Sequence, residues 1–170
     1  SVVSNPLVNA THVTSQLSST DPFEATAKRL PTPAELRQRI SLNAPLSEQI
    51  ARQRHAVQQI LSGHDDRLLV VVGPCSVHDP DAALEYADRL AALSDEVSEQ
   101  ILPVMRVYIE KPRTTVGWKG LAYDPGLDGR GDMSRGLALS RELMLAVAAR
   151  GLPVATELLQ PMLAPYLDDL

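Results

Sequence analysis

From residue 65 onward, the hydrophobic and polar positions alternate between a strand pattern and a helix pattern. The stretch RLLVVVGPCS is a continuous apolar run that ends at Gly73-Pro74, which is typical of a strand buried on both faces. The next helix has Asp79 as its predicted N-cap and Pro80 as its first residue. ILPVMRVYIE and LPVATELL are the next strands, separated by a long loop and the helical stretch MSRGLALSRELMLAVAARG, and PMLAPYLDDL begins another helix. This order predicts an α/β fold with a parallel sheet.

The chain before residue 65 reads differently. PAELRQRI predicts a short helix, and LSEQIARQRHAVQQILSG predicts a longer one, with Ser47 as N-cap and Gly63 just past its end. The apolar positions that lie near one face of the longer helix are Leu46, Ile50, Val57, Ile60 and Leu61. Residues 1–31 are rich in Ser, Thr and Asn without an apolar period, which predicts a flexible N-terminal arm. The predicted organisation is thus an arm (1–31), a helical extension (32–64) and an α/β unit (65–170).

Composition narrows the class of protein. The chain has 170 residues, of which 44% are hydrophobic, and a formal net charge of −5, which argues against nucleic-acid binding. It has no apolar run near the ~20 residues that span a bilayer, so no membrane association is expected. The N-terminal residues do not resemble a signal peptide. The single cysteine, Cys75, excludes an intrachain disulfide and favours a cytoplasmic location.

The three predicted strands end in the polar groups GPCS, EKPRTT and TELL. Because chemistry in parallel sheets collects at the carboxyl ends of the strands, these groups are the candidate site. Cys75 is a candidate nucleophile or metal ligand, or else a small buried apolar residue. His78 is a possible second ligand, or a surface residue at the start of a helix. No CxxC or HxxxH pattern supports a complete local metal site.

The second strand leads into the most unusual stretch, which carries four basic residues and one acid between Met105 and Gly120. Strand alternation places Arg106, Tyr108 and Glu110 on one face and Lys111 on the other, but the break at Pro112 still allows Arg106 and Lys111 to converge. The further polar groups of this loop are Arg113, Thr114 and Thr115. Such groups suit a phosphate or carboxylate, and the alternative is a solvated basic loop. Neither a Walker A sequence nor GxGxxG is present.

Other polar residues have simpler interpretations. Glu157, after the third strand, either orients a cation or a water or caps the helix that begins near Pro161. Trp118 and Tyr123 pack the loop down. The charged helical residues that are predicted to face solvent are Asp81, Glu85, Asp88, Arg141 and Glu142.

RLLVVVGPCSVHDP and MRVYIEKPRTTVGWKGL together resemble the type I 3-deoxy-D-arabino-heptulosonate-7-phosphate (DAHP) synthases, from about Asp65 to Leu170. The resemblance implies a (β/α)8 barrel with an N-terminal extension, of which this chain holds about three βα units. It also implies the first step of the shikimate pathway, which leads to the aromatic amino acids. In that step phosphoenolpyruvate condenses with erythrose 4-phosphate, phosphate is released, and a divalent metal of the Mn, Fe, Co or Zn class is required.

Carried onto matching positions, the resemblance makes Cys75 a metal ligand. It makes Arg106 and Lys111 contacts to phosphoenolpyruvate, with Glu157 lining that pocket. Pro112, Arg113 and Thr114 would hold erythrose 4-phosphate. It further implies inhibition by an aromatic amino acid and a homo-oligomer for the full-length enzyme.

Two other functions stay open. The sister synthase that makes 3-deoxy-D-manno-octulosonate 8-phosphate shares the architecture but lacks the KPRTTVGWKG string. The remaining metal and phosphate ligands of the family fall outside these three units, so the isolated chain is expected to be inactive. The non-enzymatic alternative is therefore a truncated regulatory or assembly module.

Overall fold

The computed structural model describes residues 30–112 and 117–170. Nearly all of the predicted N-terminal arm, together with Arg113 and Thr114 of the basic loop, lies outside these ranges. Four α-helices, three strands and a closing 3₁₀ helix make up the described part. In chain order they are α1 (Pro33–Arg39), α2 (Ala44–Leu61), β1 (Leu68–Val72), α3 (Pro80–Val97), β2 (Ile101–Arg106), α4 (Met133–Ala148), β3 (Val154–Ala155) and the 3₁₀ helix (Pro161–Tyr166).

Local signals account for most helix ends. The side chain of Asp79 accepts hydrogen bonds from the first amides of α3, and Gly63 follows α2 with φ of 78°, so both predictions are confirmed. The predicted N-cap Ser47 is wrong, because Asn43 caps α2 through a bond from the Leu46 amide at 2.9 Å. Proline is tolerated in the first turn of a helix, and α2 therefore begins before Pro45 rather than after it.

The three strands form one parallel sheet in the order β1-β2-β3. Val72 pairs with Met105, and Arg106 pairs with Ala155. The carboxyl ends of all three strands therefore meet at one edge, as the alternating pattern predicts. The predicted α/β class with a parallel sheet is confirmed, although β3 has only two residues and the last predicted helix is a 3₁₀ helix.

Strand β1 differs from its prediction as a strand buried on both faces. Leu68 is 62% exposed and Val71 is 48% exposed, so β1 is not covered on both faces. Leu69 and Val71 line an apolar groove of about 410 Å³ that α2 bounds on the other side. In α2, Ile50 is buried as predicted, but Leu61 is 74% exposed and does not belong to the apolar face.

Arg141 is a clear correction to the sequence prediction, since it is fully buried rather than solvent-facing. Its guanidinium forms two bonds of 2.6 and 2.8 Å with the carboxylate of Asp169, and its Nε donates to the carbonyl of Ile40 at 2.7 Å. Arg37 donates to the Pro165 carbonyl and pairs with Asp168. Arg54 donates to the carbonyls of Asp168 and Leu170. The three arginines and the segment 165–170 are called the arginine clamp below, and they fasten α1, α2 and α4 to that segment.

The core lies between the sheet and helices α3 and α4, and it includes Met105, Val107, Ile109, Leu137 and Met144. Within the described ranges, no helix is long and apolar enough to cross a membrane.

Candidate functional site

The candidate site begins at the turn that follows β1. Gly73 has φ of 140°, and a Cβ at this position would lie 2.7 Å from the carbonyl oxygen of Arg106. Only glycine allows the backbone to pass this close to β2 in this conformation. The turn thereby brings Cys75 beside the end of β2.

Arg106, the last residue of β2, is directed at this turn. Its Nε donates to the Gly73 carbonyl at 3.0 Å, and its Nη2 lies 3.2 Å from the Cys75 sulfur. The Tyr108 ring lies 5.4 Å from the guanidinium carbon, a cation–π distance. The side chain is held on three sides yet is only half-buried.

Lys111 reaches the same turn from beyond the strand, with its Nζ donating to the Cys75 carbonyl at 2.8 Å. Regular β2 structure ends at Arg106, so strict alternation no longer separates the two side chains, and they converge as the sequence allowed. Within residues 30–112 and 117–170, neither cation has a carboxylate within 4.0 Å. Cys75, Arg106 and Lys111 are called the strand-end cluster below.

The chemistry of this cluster suits an anion. Lys111 uses one of its three ammonium donors on a backbone carbonyl. Arg106 also spends its bonds on neutral groups, a carbonyl and a thiol. Their positive charges are therefore not neutralised within the described chain, and a carboxylate or phosphate would be held by charge-assisted hydrogen bonds.

The loop after Lys111 packs against the end of β2. Trp118 Nε1 donates to the Asp124 carbonyl at 2.8 Å, which confirms its packing role. Gly120 has φ of 113°, and a Cβ there would lie 2.3 Å from the Ile109 carbonyl oxygen. The amide of Lys111 donates to the carbonyl of Lys119 at 2.9 Å. The backbone after β2 is thus hydrogen-bonded to the returning loop as far as Lys111.

Glu110 is a site feature that the sequence reasoning did not assign a role. It is 2% exposed, and its carboxylate accepts a bond from the Tyr123 hydroxyl at 2.7 Å and another from the Leu159 amide at 2.9 Å. Burial and the neighbouring Glu110 carboxylate raise the pKa of Tyr123, so the tyrosine stays a donor. The sequence feature that points to such a role is an acidic residue placed directly between the apolar Ile109 and the basic Lys111.

The other predicted residues lie as follows. Glu157 is exposed just after β3, and it does not cap the 3₁₀ helix, whose N-cap residue is Gln160 without a side-chain bond. Pro112 is exposed next to Lys111. Arg113 and Thr114 fall outside the described residues, so their predicted contacts stay predictions.

Cys75 is exposed, so the interpretation as a small buried residue is wrong. His78 is also exposed. In the described part of the chain, no three His, Cys, Asp or Glu side chains are grouped to hold a metal. Zinc sites in proteins use three or four protein ligands, so the described residues would supply only part of such a set.

Comparison with known proteins identifies the family. The profile of the DAHP synthetase I family matches residues 39–170. The Tyr-sensitive phospho-2-dehydro-3-deoxyheptonate aldolase of Escherichia coli K12 is 52% identical over 141 residues, which cover 83% of this chain and 40% of that protein. The Phe-sensitive enzyme of the same strain is 48% identical, covering 84% and 41%.

A solved structure gives the same result. The phospho-2-dehydro-3-deoxyheptonate aldolase of Francisella tularensis SCHU S4 superposes with a TM-score of 0.78 at 44% identity, covering 82% of this chain and 41% of that one. The chain belongs to the DAHP synthetase I family. It spans about 40% of the length of the E. coli relatives.

Proposed function

We propose that this chain supplies part of the active site of a DAHP synthase. That enzyme condenses phosphoenolpyruvate with D-erythrose 4-phosphate to DAHP and phosphate, at the start of aromatic amino acid biosynthesis. We also propose that β1, β2 and β3 are the first three strands of a (β/α)8 barrel. Their parallel pairing in chain order and the gathering of polar groups at their carboxyl ends support the barrel.

One observation carries the proposed function. Arg106 and Lys111 converge on the Gly73–Cys75 turn from two different backbone positions, and both leave their charge without a carboxylate partner among the described residues. The fully buried structural cation Arg141, by contrast, is paired with the Asp169 carboxylate. An open pair of cations at the functional edge of a parallel sheet suits a substrate that carries two anionic groups.

Phosphoenolpyruvate is the proposed ligand of this pair, because it carries a carboxylate and a phosphate in a small molecule. Arg106 and Lys111 would hold it, and Glu157, after β3, would line the same pocket. Pro112, Arg113 and Thr114 would hold erythrose 4-phosphate, which places the second phosphate along the continuing loop.

The condensation joins two anions, so positioning and charge neutralisation are the main tasks of the protein. The C2–C3 π electrons of phosphoenolpyruvate form a bond from C3 to the aldehyde carbon of erythrose 4-phosphate, whose oxygen takes up a proton, while water adds at C2 and releases one. Phosphate then leaves with the electrons of its own bond to C2, and the new C2 hydroxyl gives up its proton to become the ketone. Fixed ammonium and guanidinium groups reduce the repulsion between the substrates and are already oriented, which avoids reorganisation during the reaction.

A divalent metal of the Mn, Fe, Co or Zn class is part of the proposal, with Cys75 as one ligand. The exposed thiol at a strand end is the supporting observation. When bound, such an ion polarises a carbonyl oxygen. Since the described residues do not complete a ligand set, we expect no condensation turnover from the isolated 170-residue chain.

Regulation by an aromatic amino acid is proposed for the longer enzyme as well. The relatives include enzymes described as Tyr-sensitive, Phe-sensitive and Trp-sensitive. They differ in the amino acid named, so none is assigned to this chain. The homo-oligomeric state and the cytoplasmic location expected from the sequence stay predictions.

Binding of phosphoenolpyruvate to the purified chain, measured by titration calorimetry at low ionic strength, tests the proposed function. We expect binding that weakens about tenfold in Lys111→Ala, since a charge-assisted bond to an anion is worth roughly 1.4 kcal/mol or more. Lys119→Ala is the matched control, because Lys119 lies in the same loop but only its backbone contacts Lys111. No binding by the unmodified chain, or equal losses in both variants, would overturn the proposal.

A further inference from the structure

The proposed reaction does not use the buried carboxylate next to Lys111. The two oxygens of Glu110 accept bonds from two different loops, one from Tyr123 in the loop after β2 and one from Leu159 in the loop after β3. Buried carboxylates are costly unless they are hydrogen-bonded, and here both oxygens are satisfied. Glu110 therefore joins these loops to the segment that carries Lys111.

The backbone around Glu110 is also held on its other side. The amide of Ala122 donates to the Ile109 carbonyl at 3.0 Å, and the amide of Lys111 donates to the Lys119 carbonyl at 2.9 Å. With its backbone fixed and Glu110 anchored, Lys111 has a defined direction toward the Cys75 carbonyl. Leu159 lies two residues after Glu157, so the same carboxylate also limits where Glu157 can lie.

We propose that Glu110 is a positioning residue, whose carboxylate fixes Lys111 and the Glu157 loop relative to each other through Tyr123 and Leu159. Through Lys111 it determines how tightly the strand-end cluster holds a phosphorylated carboxylate. The identity of that anion rests on the proposed function. The proposal that Glu110 positions Lys111 and the neighbouring Cys75 turn does not depend on which anion binds.

The first test needs no substrate. Cys75 is the single thiol of the chain, it is exposed, and its carbonyl is bonded by Lys111, so its alkylation rate reports how firmly this turn is held. In Glu110→Ala we expect the iodoacetamide rate to change at least about threefold, because the Lys111 bond that fixes the Cys75 backbone, and with it the position of the exposed thiol beside Arg106, becomes looser. In Glu110→Gln the rate should stay near that of the unmodified chain. The amide oxygen can accept the Leu159 bond, and the amide nitrogen can donate to the Tyr123 hydroxyl oxygen.

The second test measures affinity for phosphoenolpyruvate by calorimetry on the same variants. Glu110→Ala should bind about tenfold more weakly, and Glu110→Gln within about threefold of the unmodified chain. Tyr123→Phe removes only one of the two bonds and should fall between them, which keeps the test decisive if Glu110→Ala does not fold. Asp169→Asn is the control, since it weakens the arginine clamp without touching either loop.

The possible outcomes distinguish the proposed function from the positioning role of Glu110. If the unmodified chain does not bind phosphoenolpyruvate, the proposed function fails, and the alkylation rates still decide the role of Glu110. If folded Glu110→Ala shows an unchanged alkylation rate and unchanged affinity, the positioning role is overturned. The role is equally overturned if Asp169→Asn changes both quantities as much, because a general loss of stability would then explain them.

Discussion

The molecule contains two clusters of basic side chains that differ in what their charges contact. In the arginine clamp, Arg141 is fully buried and bonded twice to the Asp169 carboxylate, and Arg37 is paired with Asp168. In the strand-end cluster, Arg106 and Lys111 are half-buried and bond to carbonyls and a thiol. Two of the three clamp arginines, Arg37 and Arg141, are therefore neutralised by carboxylates, and Arg54 bonds only to carbonyls. Neither cation of the strand-end cluster has a carboxylate partner among the described residues.

The difference shows why a count of basic residues does not identify a binding site. Moving a charge such as that of the fully buried Arg141 out of water is costly, and the Asp169 carboxylate offsets that cost within the protein. A binding cation needs enough protein contact to fix its direction, but its anionic partner must be the ligand. Neutral acceptors such as the Gly73 and Cys75 carbonyls meet both conditions, because they orient the cation without cancelling its charge.

The largest expected effect comes from opening the clamp. Arg141→Met should lower the free energy of unfolding by about 3–5 kcal/mol, because Asp169 and the carbonyls of Ile40 and Tyr166 lose their buried partner. Urea unfolding followed by circular dichroism measures this loss. Arg89→Met is the control, since its pair with Glu85 lies on an exposed helix face and should contribute almost nothing. A loss below about 1 kcal/mol in Arg141→Met would contradict the view of the clamp as a structural element.

Near the strand-end cluster, stability should depend on the close approach of two backbone segments rather than on ion pairs. Gly120→Ala would place a Cβ 2.3 Å from the Ile109 carbonyl at a φ of 113°, so we expect a loss of about 2–3 kcal/mol from strain and forced movement of the loop. Gly129→Ala has a φ of 75° but nothing within 4 Å of the added Cβ, and it should cost only about 1 kcal/mol. Equal losses in the two variants would mean that the close approach to Ile109 has no energetic weight.

The features that could be predicted from the sequence are those that local patterns determine. Strand ends, the Asp79 cap and the possible convergence of Arg106 and Lys111 all follow from residues close together in the chain. Arg141 was misread because a charged residue on a helix resembles a solvent-facing one, and its partner Asp169 lies 28 residues away. The exposure of Val71 likewise depends on what packs on that face of the sheet, and this information is not local.

Removal of a site cation should affect affinity more than stability. Arg106→Ala is expected to weaken phosphoenolpyruvate binding about tenfold while lowering the free energy of unfolding by less than about 1 kcal/mol. The small loss of stability follows because water can replace the guanidinium at the Gly73 carbonyl near the half-exposed site. Calorimetry and urea unfolding on one preparation give both values. A large stability loss with unchanged affinity would make Arg106 a structural residue of the same kind as Arg141.

The smallest effect is a pH dependence that belongs to the clamp alone. Burial opposes ionisation of Asp169, but bonds from Arg141 and the charge of Arg37 outweigh it and hold the pKa of the carboxyl below its usual value. A depressed folded-state pKa adds stability above the unfolded value of about 3.9, and this stability is lost as the pH falls through the lower folded value. Unfolding free energies between pH 7 and pH 2.5 should therefore decline less steeply at the acid end in Asp169→Asn than in the unmodified chain. Identical acid slopes would show that the Asp169 carboxylate gains nothing from the clamp, and the contrast with the strand-end cluster would then rest on burial alone.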